Sequence, residues 1–105
     1  MTSTERRAVK MREAARAMRE SYATEKLDAV AIVAKAATAA ALGYCSVRIA
    51  FDRALDVRGT EAGRTVNARL QREGFGVNWE PRRIEAKDSP TGETVTVFDL
   101  LVSWS

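Results

Sequence analysis

Five arginines carry the side chains best suited to chemistry in this sequence: Arg48, Arg58, Arg64, Arg82 and Arg83. Guanidinium groups hold phosphate through paired hydrogen bonds, so the chemistry would be recognition of a phosphorylated ligand. Arg58 and Arg64 flank the segment Arg58–Thr65, RGTEAGRT, which invites comparison with a P-loop. The comparison fails. Only Thr60, Glu61 and Ala62 separate Gly59 from Gly63, one residue short of that loop, and Arg64 stands where it needs lysine. What remains is a loop entering a helix. Helix N-terminal amides attract anions, and Arg58 and Arg64 stand beside them; the plainer reading is a polar connection. Arg82 and Arg83 follow Trp79, where an arginine beside an aromatic could grip a base or a phosphate. Their plainer reading is an exposed loop next to a core tryptophan.

Catalytic groups are scarce. Histidine is absent, which removes Ser-His-Asp and Cys-His catalysis and most zinc sites. Cys45 is the single cysteine, so no disulfide framework exists, and it reads as a small buried hydrophobe. The acids Asp52, Asp56, Glu80 and Glu85 are scattered, with no two placed as an acid–base pair. The expectation is a protein that is not an enzyme, with no metal and no cofactor.

Charge narrows the classes further. The formal net charge is +3. Residues 1–42 hold eight Lys or Arg against five acids, and residues 43–105 hold nine against nine, so the whole excess lies on the N-terminal part. An excess this small argues only weakly for nucleic acid. Arg12, Arg16 and Arg19 share one face of the first helix. They read either as a solvated ridge paired with Glu13 and Glu20, or as a cationic surface that meets phosphate or an acidic partner.

These residues need a frame. At 105 residues, with 46% hydrophobic and 30% charged, the chain has the balance of one globular domain, 1–105. Thr2 with Glu5 resembles a capping box. Ala8, Met11, Ala15, Met18 and Tyr22 then recur at helical spacing as one apolar stripe. Ser21–Thr24 is either a break or part of a continuous helix. A second helix is expected over about Glu25–Leu42, stopped by Gly43. Tyr44–Asp52 alternates strictly, as a strand with one buried face does. A third helix is expected from about Thr60 to Glu73, with Ala62, Val66 and Leu70 inward. Phe75, Val77 and Trp79 mark a second strand, which Pro81 either ends or confines to a sheet edge. Lys87–Gly92 is rich in turn residues. Thr94–Trp104 is a last strand with apolar residues on both faces, hence central or covered on its second side. The order ααβαββ predicts an α+β fold: two N-terminal helices (1–42), then β-α-β-β (43–105) with a small, mainly antiparallel sheet covered by helices.

The segment Ala29–Leu42, AVAIVAKAATAAAL, is apolar nearly all round, with Lys35 its one charge. Such a helix must be buried on every side. A domain of this size buries only about 60–70% of its unfolded surface, so a helix from a second copy is expected to cover part of it. Val30, Val33, Ala34, Ala37 and Ala41 are the expected interface. The stretch is too short and too rich in alanine for a membrane span. The polar N-terminus shows no signal-peptide pattern, so an intracellular, soluble protein is expected.

Several short elements together carry a resemblance. Gly43-Tyr44 precedes the alternating Ser46-Val47-Arg48-Ile49; a helix ends in Leu70, followed by Gly74-Phe75-Gly76-Val77; the chain closes on Val102-Ser103-Trp104. Over residues 27–105 this is similar to a loose group of small tailed-bacteriophage accessory proteins that share Leu…Gly-aromatic-x-Val and a terminal Ile/Val-Ser-Trp. The chain departs from them in longer connections at 52–60 and 81–93. The resemblance implies a phage-encoded protein of the host cytoplasm or the virion, not an enzyme, and brings no site residues with it.

The leading functional expectation is a homo-oligomeric interaction or assembly protein of phage type. It would bind a second copy of itself or a host or virion protein, with no membrane partner. The alternative is a protein that sequesters a phosphorylated small ligand, such as a cyclic nucleotide signal, through the five arginines in pockets between subunits. A third reading is weak nucleic-acid binding by the basic first helix.

Overall fold

A computed structural model describes residues 3–53, 55–85 and 92–104. Its elements run α1 (Ser3–Lys26), α2 (Ala29–Ala41), β1 (Ser46–Ile49), α3 (Glu61–Arg72), β2 (Gly76–Glu85) and β3 (Thr94–Ser103). This is the expected α+β order. The capping box expected at Thr2 and most of the turn expected over Lys87–Gly92 lie outside the described residues.

The two N-terminal helices divide later than expected. Helix α1 runs straight through Ser21–Thr24, because Tyr22 and Ala23 are buried there and hold the turn in place. The break falls at Leu27–Asp28. Leu27 drops into the core, and the Asp28 carboxylate accepts a hydrogen bond from Val30 N at 3.0 Å, capping α2. Both α2 and α3 then stop in the same way. Gly43 and Gly74 take φ of +91° and +94°. Tyr44 N reaches back to Ala39 O and Gly43 N to Ala40 O, each at 3.0 Å; Phe75 N bonds Leu70 O and Gly74 N bonds Gln71 O, also at 3.0 Å. These are paired Schellman closures, which need a left-handed residue and so favour glycine.

The sheet is antiparallel throughout, in the order β1-β3-β2. The last strand is therefore central, which accounts for its apolar residues on both faces. Strand β1 is shorter than the alternating stretch Tyr44–Asp52, although Phe51 beyond its end is still buried. Strand β2 is longer than expected and passes through Pro81, tolerated because β2 lies at the edge and can leave that position without a donor. Arg82 and Arg83 therefore sit in a strand and not in a loop.

Cross-strand partners share a face, so the register sorts the sheet. Ile49, Trp79 and Leu100 line up on one face, with Val47, Val77 and Val102 beside them. That face meets Tyr22, Leu27 and Ile32 from α1 to α2 and Val66 and Leu70 from α3, forming the core. The rings of Phe51 and Trp79 stack at 6.5 Å, and Tyr22 meets Phe51 edge-on at 6.4 Å.

Two apolar surfaces expected to be covered stay open. The stripe on α1 closes only at Tyr22; Met11 is 70% exposed, and every residue from 10 to 18 is exposed. Helix α2 buries Ala29, Ile32 and Ala36 only. Within one chain it is therefore covered on one face, not all round. Cys45 is exposed, contrary to expectation. It lies between the Gly43 turn and the first ladder pair, so its side chain has not yet entered the packed face; its carbonyl oxygen accepts from Trp104 N at 3.1 Å.

Candidate functional site

The five arginines read as ligand-binding candidates do not converge. The structure distributes them over four places.

Arg48 and Arg82 come together on the sheet face opposite the core, around a residue the sequence reading did not single out. Asp99 is completely buried. Arg82 donates to it from Nε at 2.8 Å and from Nη2 at 3.3 Å, and Arg48 donates from Nη1 at 3.1 Å. Arg48 also reaches Glu80 at 2.8 Å, and Arg82 Nη2 donates to Phe51 O at 3.0 Å. Register explains the meeting. Glu80 stands directly across from Asp99, and Arg48 and Arg82 sit on strands flanking it. Burial pushes the Asp99 carboxyl up, but the hydrogen bonds and charge of Arg82 and Arg48 outweigh it and hold the group below the usual aspartate range. The signal for Asp99 was present: it is the one charge between Thr94 and Trp104. With their donors committed to this carboxylate, Arg48 and Arg82 form a clamp across three strands. Arg83 points away from it and is exposed.

Arg58 is also engaged locally. Its Nε and Nη2 donate to Asp56 Oδ1 and Oδ2 at 3.0 and 2.8 Å, and the guanidinium lies 3.3 Å from the centre of the Phe98 ring. The bonds from Arg58 hold the Asp56 carboxyl below its ordinary range.

Arg64 has different company. It lines a cleft of about 590 Å³ between α1 and the loop leading into α3, together with Arg16 and Arg19. The entry to α3 is tightly built. Thr60 is the cap; its hydroxyl accepts from Gly63 N at 3.0 Å and donates to Val57 O at 2.6 Å. A side chain at Gly63 would collide with Val57 O, so the segment needs glycine for space. Glu20 of α1 completes the cap, with both carboxylate oxygens accepting from Glu61 N at 3.1 Å. At the helix N-terminus that could have held an anion, the amides of Glu61 and Gly63 are thus taken by the protein's own side chains. Sequence reading placed Arg64 beside this terminus but could not bring α1 to it, because nothing local specifies the α1–α3 contact. The pairing expected between the α1 arginines and Glu13 or Glu20 does not form among the described residues.

The expected interface residues lie on α2. Val30, Ala34, Ala37 and Ala41 are exposed on its outer side, whereas Val33 is half-buried against the core. Below them Ala34, Thr38, Leu42, Tyr44 and Val47, with Lys35 as the one charged side chain, line a mostly apolar groove of about 430 Å³. Val30, Leu42 and Tyr44 are 65%, 72% and 63% exposed.

No family model, no curated protein and no solved structure matches the chain. Among the described residues, no helix is long and apolar enough to cross a membrane.

Proposed function

We propose that this chain is a self-associating interaction protein, in which the outer face of α2 pairs with the same face of a second copy. The observation that carries this reading is the open face of α2, an apolar helix whose own chain buries Ala29, Ile32 and Ala36 and half-covers Val33. Exposed apolar surface of this kind marks an interaction site. Its chemistry favours a like partner. Lys35 is the single charge on the helix, so an acidic or basic partner would find almost nothing to pair with. Alanines at 34, 37 and 41 let a second backbone approach closely, and a small-residue face interrupted only by Lys35 and Thr38 can meet its own copy, as a two-fold interface requires. Leu42 and Tyr44 would supply the larger anchors. The likeness to small tailed-bacteriophage accessory proteins supplies the context for this proposal: a phage-encoded binding protein of the host cytoplasm or virion that acts by occupying a partner or by assembling, without turnover.

Native mass spectrometry and sedimentation over 1–100 μM, a range on the order of protein–protein dissociation constants, test the reading. A concentration-dependent oligomer that Ala34→Glu and Leu42→Glu both dissolve, with unchanged melting of the monomer, supports it. A monomer across the whole range overturns it.

A further inference from the structure

We infer that the cleft between α1 and the loop entering α3 is a binding site for a small molecule bearing a phosphate or pyrophosphate group. The site lies within one chain and stands independently of self-association.

Three guanidinium groups from separate parts of the sequence line it. Arg16 and Arg19 are one turn apart on α1, and Arg64 comes from the first turn of α3. Their donors are largely unspent. Neither Arg16 nor Arg19 makes an ion pair with a described residue, and Arg64 uses Nη1 on Gly59 O at 2.8 Å. At the two other places where these arginines meet acids they are tied up, Arg48 and Arg82 on Asp99 and Arg58 on Asp56, whereas Arg83 is unpaired among the described residues but stands alone on the surface. Convergence of three guanidinium groups from two elements on one cleft, none ion-paired with a described residue, is what distinguishes this cluster from a surface ridge.

The cleft does contain two acids, and both are occupied. Glu20 turns its two oxygens to Glu61 N, and Asp56 gives both of its oxygens to Arg58. The Thr60 hydroxyl is fully used within the cap. Three guanidinium groups thus line the space against two carboxylates, of which Asp56 is balanced by Arg58 and also feels the charge of Arg19, so the local charge of the cavity stays positive. A tetrahedral dianion satisfies such a set, because each guanidinium can place paired N–H groups on two of its oxygens. The volume of about 590 Å³ falls in the range of small-ligand sites, roughly 300–1,000 Å³. It exceeds what a bare phosphate fills and leaves room for an attached group, against Leu55 and the Gly59 backbone.

Isothermal titration calorimetry at physiological salt with inorganic pyrophosphate and with adenosine monophosphate tests the assignment. The expected result is saturable binding of one molecule per chain, weakened at least tenfold by Arg16→Gln and by Arg64→Gln but unchanged by Arg83→Gln, with all three variants melting like the parent. Tighter binding of the nucleotide than of pyrophosphate assigns the spare volume to an organic group; the reverse assigns the site to the phosphates alone, and either outcome supports the cleft as a phosphate site. Absence of heat with both probes up to millimolar concentration overturns the assignment. So does equal weakening by Arg83→Gln, which would mean diffuse attraction to a basic protein.

Discussion

Arg82 holds Asp99 from the neighbouring strand with two nitrogens, Nε at 2.8 Å and Nη2 at 3.3 Å, while the carboxylate is wholly removed from solvent. Arg48 closes the same carboxylate from the other side. One acid in the central strand thus ties both edge strands, where backbone ladders alone would join them pairwise.

Removing that charge should weaken the sheet. Breaking a buried pair costs roughly 3–5 kcal/mol when both partners are dry. Arg48 and Arg82 keep 44% and 37% of their side-chain surface in solvent, so Asp99→Ala is expected to lose about 2 kcal/mol. Urea unfolding of the two proteins measures it. A loss below a few tenths would mean the clamp is not holding the strands.

The same group makes stability depend on acid. Its carboxyl titrates below the usual aspartate range when folded, so its stabilisation is complete above the unfolded value, near 4, and disappears as pH falls through the lower folded value. Asp56 acts in the same direction. Unfolding free energy should therefore be flat in this respect from pH 7 to 5 and decline below about pH 4. In Asp99→Asn that decline should be shallower.

Gly63→Ala should be among the most damaging small changes in the molecule. The added carbon meets Val57 O and crowds the Thr60 hydroxyl, and the cap cannot move without breaking its bonds. Overpacking of this sort costs about 1–3 kcal/mol. Gly59→Ala, four residues earlier and in open space, should leave the thermal midpoint nearly unchanged.

Tyr22 joins α1 to the segment after β1. Its hydroxyl donates to Asp52 Oδ1 at 2.6 Å and accepts from the amides of Asp52 and Arg53 at 3.2 and 3.3 Å. Tyr22→Phe should cost about 1 kcal/mol, because it removes these hydrogen bonds without opening a cavity and the exposed Asp52 and Arg53 can turn to water. Burial, helped by the bond to Asp52, raises the phenol above its ordinary value. In a spectrophotometric titration the Tyr22 phenol should ionise later than a free tyrosine. The stability tied to it is complete below the ordinary tyrosine value, about 10, and is lost as pH rises through the higher folded one.

Local rules carried much of the fold. Thr60 and Glu73 stand at the two caps of α3 where the periodicity put its ends, and Gly43 and Gly74 close their helices as expected. Leu101 and Val97 on one side of the last strand, with Leu100 and Val102 on the other, announced its central place. The site was less legible, because it depends on contacts between distant segments. Nothing near Arg64 says that Arg16 and Arg19 will face it, and nothing near Asp99 says which arginines will arrive. Arg82 looked like a loop residue because Pro81 precedes it, and only the sheet order shows why proline is harmless there. Cys45 was misplaced for a simpler reason: alternation was read one pair beyond where the ladder begins.

The exposed run from residue 10 to 18 makes α1 one helix in shape and two in thermodynamics. From Arg19 onward it is anchored through Tyr22 and Ala23, so its amides open only when the core does. Arg16 still borders the cleft beside α3 and Met18 still meets Arg53 at 3.6 Å; before them residues 10–15 are exposed, and an unsupported helix end frays in water. Hydrogen exchange should therefore climb steeply along a single rod, slow at Tyr22 and fast by Met11, and anything that settles on the outer stretch would announce itself by slowing those amides alone.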